Sequence, residues 1–187
     1  VIGNIGTCSD TADITIKVTP YPPADAGMNA TLCIGFNAQL SAAGGSSYNW
    51  SPATYLNNPT IANPLVIQPQ ADITYTVTVT DTLGCSKAIT DIVKIFVIPE
   101  LHVFAGNDTS IVEDQPLSLP GSGATNYVWN WLPDNLPGWL SSTTVASPTA
   151  TPQDNITYYV IGTDTHGCKG TDSVNILVYT IDPDMYV

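Results

Sequence analysis

The sequence predicts an all-β chain of small antiparallel β-sandwiches in tandem, and three observations carry the prediction. First, the chain repeats itself. Tyr48-Asn49-Trp50 returns as Tyr127-Val128-Trp129, Thr74-Tyr75-Thr76-Val77 as Thr157-Tyr158-Tyr159-Val160, and Gly84-Cys85 as Gly167-Cys168. The spacings are 79, 83 and 83 residues, too long for a solenoid repeat and right for one small β domain. Second, strand periodicity is widespread: Tyr75, Val77 and Val79 alternate with threonines, and β-branched residues at every second position read as half-buried strands. Third, no run keeps helical spacing, and fifteen prolines interrupt whatever might form one.

Each segment follows in order. Residues 1–19 align, from Thr7-Cys8 to Val18, with Gly167-Cys168 to Val178. They read as the C-terminal strand of a preceding repeat, with Ile14, Ile16 and Val18 on its apolar face, or as a donor strand for another subunit. Residues 20–23, Pro-Tyr-Pro-Pro, form a linker that proline stiffens. Module one spans 24–98. Its turn Asp81-Thr-Leu-Gly84 precedes a last strand carrying Val93, Ile95 and Val97. A second linker covers 99–104. Module two spans 105–180, with the turn Asp164-Thr-His-Gly167 before Val174, Ile176 and Val178. Residues 181–187 read as a linker to a following repeat.

Composition excludes several functions. The net charge is −12, with four Lys+Arg against sixteen Asp+Glu. Nucleic acid and anionic membranes both demand basic patches, so neither is an expected partner. No stretch approaches the roughly 18 apolar residues of a membrane helix, so no membrane insertion is expected. Charged residues make up only 11% of the chain, so Thr, Ser, Asn and Gln carry its polarity, as in secreted β proteins.

The order Asp25-Ala-Gly27, Leu32-Cys33-Ile-Gly35, Leu40-Ser-Ala, Ser47-Tyr-Asn-Trp-Ser-Pro52, Asn58-Pro, Thr74 to Asp81 and Gly84-Cys85 resembles the PKD-like and Ig-like repeats of Bacteroidota surface proteins. These include gliding-associated adhesins and other type IX secretion cargo. Module two fits more loosely, since Phe104 replaces Asp25 and Val112 replaces Cys33. PKD domains proper carry Trp-Asp-Phe-Gly-Asp-Gly, whereas this chain has Trp50-Ser-Pro-Ala. The resemblance implies tandem Ig-like/PKD-like sandwiches used extracellularly, at a cell surface or in a surface fibre, as spacer, stalk or adhesive unit. Neighbouring repeats or copies of the same chain are the implied partners. The alternatives are a filament subunit joined through residues 1–19 and a lectin-like module binding surface glycans.

Four cysteines at low density suggest structural bridging. Cys33 and Cys85 share a module and are expected to pair, closing a loop worth about 4 kcal/mol in the chain-entropy model. Cys168 then has Val112 where a partner would stand, leaving it a buried free thiol or an intermolecular bridge. Trp50 and Trp129 read as core pins. Trp131 and Trp139 read either as a cap on one end of module two or as an exposed platform for stacking on sugar rings. Calcium is a candidate at the linker carboxylates Asp25, Glu100, Asp182 and Asp184, although no EF-hand loop is present. Asp-Thr-Ala, Asp-Thr-Leu and Asp-Ser-Val place candidate O-glycans, which the resemblance implies, on Thr11, Thr82 and Ser173. Asn29, Asn107 and Asn155 fit the generic N-sequon. His102 and His166 have neither a nucleophile elbow nor a recurrent acidic partner, so no enzyme, catalytic residue or cofactor is expected.

Overall fold

The computed structural model describes residues 2–16, 23–81 and 87–181. Among them, every regular element is a strand. Strands β1 (Ile2–Ile5) and β2 (Cys8–Thr11) form a hairpin of their own, with Ile5 opposite Cys8. Gly6, at φ 62°, supplies the left-handed residue that such a tight turn requires. Within the segment read as a single arm, residues 2–11 thus fold back as this pair, and the described residues 12–16 belong to no strand. In that segment Ile14 and Ile16 are 80% and 76% exposed, so the apolar face expected there is uncovered.

The first sandwich comprises β3 (Ala30–Cys33), β4 (Ala38–Gln39), β5 (Ser47–Ser51), β6 (Leu65–Val66), β7 (Ile73–Thr80) and β8 (Ile89–Ile98). The second comprises β9 (Thr109–Val112), β10 (Leu117–Ser118), β11 (Asn126–Leu132), β12 (Thr149–Ala150), β13 (Ile156–Thr163) and β14 (Lys169–Tyr179). Each has a four-stranded sheet, β3-β8-β7-β5 or β9-β14-β13-β11, and a two-stranded one, β4-β6 or β10-β12. The sandwiches are not purely antiparallel: β3 runs parallel to β8, and β9 to β14.

Alternation along the strands builds the two cores. Tyr75, Val77 and Val79 of β7 point inward with Val93 and Ile95 of β8, and meet Val66 from the smaller sheet and Leu40 just beyond β4. Tyr158 and Val160, with Val174 and Ile176, repeat this arrangement around Leu119 and Ala150. Trp50 on β5 and Trp129 on β11 are the largest fully buried side chains. A buried indole needs a partner for its N–H. Trp50 donates to the Ile61 carbonyl at 2.9 Å, and Trp129 to that of Val145 at 3.0 Å. The buried tyrosines do likewise, Tyr75 to the Thr54 carbonyl and Tyr158 to that of Gly138, both at 2.7 Å. Burial pushes the Tyr75 hydroxyl up to about 12, and pushes that of Tyr158 up as well. Each ring thus ties the main sheet to a loop, while no described buried polar side-chain atom lacks a partner.

The first strand of each sandwich also fixes its direction. Asp91, near the start of β8, accepts the Ala26 N–H at 2.8 Å, and Asp172, near the start of β14, accepts that of Ala105 at 2.8 Å. Downstream, Cys33 pairs with Ile98 and Val112 with Tyr179. The chain therefore enters each sandwich at one end of its last strand and leaves at the other. Trp129→Ala is expected to cost about 3–5 kcal/mol, read as a lower urea midpoint for the second sandwich by far-UV circular dichroism.

Candidate functional site

The chemistry the fold positions most closely is a covalent joint between the sandwiches. Cys33 closes β3 beside Ile98, where the chain leaves the first sandwich. Cys168 closes the β13–β14 turn at the leading end of the second. The two are bonded, with Cα atoms 5.6 Å apart and a sequence separation of 135. The expected Cys33–Cys85 pair is thereby corrected. Cys33 lies at the far end of the ten-residue β8, about 30 Å from its start at roughly 3.3 Å per residue. A disulfide spans less than about 7 Å between Cα atoms. Cys168 is accordingly neither a free thiol nor an intermolecular bridge, and Cys85 lies outside the described residues. Among the described residues Cys8 is a free, exposed thiol.

The turn that presents Cys168 is held by one carboxylate. Asp164 accepts the N–H of His166 and of Cys168, each at 2.8 Å, while its own N–H donates to the Cys168 carbonyl at 3.0 Å. Desolvation works to raise the pKa of Asp164. It is outweighed by the Cys168 and His166 N–H groups and the nearby His166 ring, which together hold the carboxyl below its usual range. His166 Nδ1 lies 3.5 Å from Thr165 Oγ1 and 3.6 Å from Asp164. Both contacts fall on one nitrogen, so the ring cannot relay a proton between them.

The backbone linker runs alongside the disulfide and seats on the second sandwich. Gly162 and Gly170 face each other across β13 and β14 and leave a slot for Val103. A Cβ on Gly170 would collide with the Leu101 carbonyl, and one on Gly162 would stand 2.6 Å from Val103 Cγ2. Between the sandwiches a groove of ≈ 530 Å³ is lined by Cys33, Phe36, Glu100, Leu101, Cys168 and Lys169. Cys168 is only 3% exposed, so the bridge presents mainly its Cys33 side to solvent.

The other candidate residues scatter. Trp131 and Trp139 are partly buried and pack against the second core. Trp131 donates its N–H to the Leu136 carbonyl at 2.9 Å, and its ring lies against Gly138 so closely that a Cβ there would overlap it. The pair packs as a cap on the second core with part of each ring left accessible. Asp25 accepts the Gly27 N–H at 2.8 Å as a turn former, and Glu100 lines the groove. No group of three or more metal-ligating side chains occurs among the described residues, and Asp182 and Asp184 lie outside them. Thr11 ends β2, and Ser173 is exposed in the middle of β14 opposite Tyr159. Thr82 lies outside the described residues. Two sequon asparagines serve the backbone: Asn29 accepts the Lys94 N–H and Asn155 that of Val178, both at 2.8 Å. Sequence reading missed the Gly162–Gly170 slot, although the absence of side chains at both positions was its signal.

Strand order, a first strand parallel to the last, and a tryptophan buried on the strand beside the central one define immunoglobulin-like β-sandwiches in tandem. No protein-family model matches the chain, and no curated protein matches it. Among solved structures it is similar to the insect immune protein hemolin, at 16% identity and a TM-score of 0.47, over 90% of this chain and 49% of that one. It thus spans about half of the hemolin chain. It is also similar to DIP-gamma IG1+IG2 (12% identity, TM-score 0.42, 84% and 98% covered). A third likeness is to the I9–I11 tandem of titin (12%, 0.40, 88% and 66%).

Two outcomes are expected from this joint. A non-reduced digest will yield a peptide pair crosslinked through Cys33 and Cys168, read by mass spectrometry. Asp164→Ala will lower the melting temperature of the second sandwich at neutral pH. A carboxyl with a depressed folded pKa stabilises above its unfolded value, near 4, and stops doing so as pH falls through the folded value. The gap between variant and parent will therefore close in acid, as scanning calorimetry at several pH values will show.

Proposed function

We propose that this chain is a structural repeat segment of an extracellular bacterial surface protein, a stalk or spacer with an adhesion-related role. The observation that carries the reading is the double connection between the sandwiches: backbone linker and disulfide side by side, with the linker seated in the glycine slot. A catalytic protein gains little from such a joint, whereas a spacer must hold successive domains in line. The acidic, threonine-rich composition and the resemblance of the Asp25-to-Cys85 pattern to Bacteroidota repeats support the extracellular bacterial setting. Candidate O-glycans at Thr11 and Ser173 fit a surface-exposed role, since both positions face solvent.

A second reading is favoured by Ile14 and Ile16, exposed at 80% and 76%. An alternating apolar segment of that kind suits strand addition to a neighbouring copy, making the chain a filament subunit. Electron microscopy of native material separates the two. Thin strings of beads, constant in spacing between joined pairs, are expected for the stalk. Regular fibres with a whole-sandwich axial repeat would replace it with the filament, and compact particles without a string would sink both.

A further inference from the structure

The position of the disulfide has a mechanical meaning that the stalk role alone does not supply. Pulled from both ends without the bridge, the chain would load the sandwiches in series. Force would enter the first at β3 and leave at the end of β8, shearing the four parallel pairs from Ala30–Ile95 to Cys33–Ile98. It would then cross the linker and shear β9 against β14, from Thr109–Ile176 to Val112–Tyr179. The bridge changes this path. Cys33 is the last residue of β3, and Cys168 immediately precedes β14. The covalent route therefore runs along β3, across the two sulfurs and down β14 to the far end. Residues 34–167 hang in a closed loop beside it. That loop contains β4 to β8, the linker, and β9 to β13, including both tryptophan pins.

We infer that the Cys33–Cys168 bridge is a tension-carrying bypass that removes most of both sandwiches from the line of axial pull. The sandwich strands left in the path, β3 and β14, are already extended and yield little length, and opening the short β1–β2 hairpin adds only a few residues. A bridge within one sandwich would shield that sandwich only. This one shields two because it joins the last residue of one first strand to the residue before the other last strand. The biological use of the bypass rests on the proposed stalk role. The load path does not, so a failed pulling experiment and a failed microscopy experiment are separately readable.

The test is single-molecule pulling of the full chain between inert marker domains, with the bridge verified by non-reduced peptide mapping. In the oxidised chain no extension step longer than about 100 Å is expected. Cys33→Ser/Cys168→Ser is expected to give two steps of roughly 220 Å each, one per sandwich, at about 3.5 Å per residue less the folded span. Should that variant fail to fold, the parent answers under force clamp with dithiothreitol. The dithiol is oxidised to its cyclic disulfide, its two hydrogens pass to the cysteine sulfurs, and roughly 470 Å is released at a rate that rises with reductant concentration. Two steps of about 220 Å in the oxidised chain would overturn the bypass. A single such step would mean that Cys33 is bonded within the first sandwich, which overturns it equally. Absence of the crosslinked peptide from oxidised protein would do the same.

Discussion

The parallel pairing of first and last strands is the constraint on which the rest of this molecule depends. A parallel neighbour puts the start of one strand beside an interior point of the other and sends both out of the domain in the same direction. In the first sandwich this brings Cys33 to the exit point at Ile98. In the second it leaves Val112 beside Tyr179. With an antiparallel closing strand, Cys33 would sit at the opposite end, out of reach of the next sandwich. The tryptophan pins, the tyrosine-to-loop bonds and the Asp91 and Asp172 contacts hold each core. The parallel pair decides how one core is attached to the next.

Much of the fold was written in local pattern. The Tyr75-Val77-Val79 alternation gave an inward face, and its recurrence at Tyr158 and Val160 gave a second one, because strand burial depends on nearest neighbours at period two. Trp50 and Trp129 were legible as pins for the same reason. The two-residue turn at Gly6 was not: the alignment of residues 7–18 with the last strand of the second module masked a hairpin that Gly6 permits locally. Ile14 and Ile16 were read as half-buried on periodicity alone, but periodicity names a face and not the surface that covers it.

The site was less legible than the fold. Pairing Cys33 with Cys85 followed from assuming that a small sandwich staples itself. The error was one of direction, since strand content without parallel or antiparallel sense cannot say at which end a cysteine emerges. Trp131 and Trp139 were legible only as a choice between a cap and a platform. Aromatic residues in a Pro-rich loop look available from sequence, yet Gly138 lets the loop fold flat against the Trp131 ring and the indole N–H finds Leu136. Asp164 illustrates the opposite case: an Asp opening a turn was expected, and it also orients the cysteine that makes the joint.

The long loop closed by the bridge bears on how the chain survives damage. Every peptide bond between Cys33 and Cys168 lies in a ring, so one cut there opens the ring without dividing the molecule. Exposed loops such as the Thr143–Val145 stretch or the linker at His102 could be nicked by a protease while both ends stayed covalently joined. A second cut within the ring would release a fragment of the chain, but the ends would still be held through the sulfurs. Severing the two ends requires a cut outside residues 33–168, or a cut within them together with reduction of the disulfide. In a setting rich in proteases and poor in reductants, that topology converts many accessible cleavage sites into harmless ones.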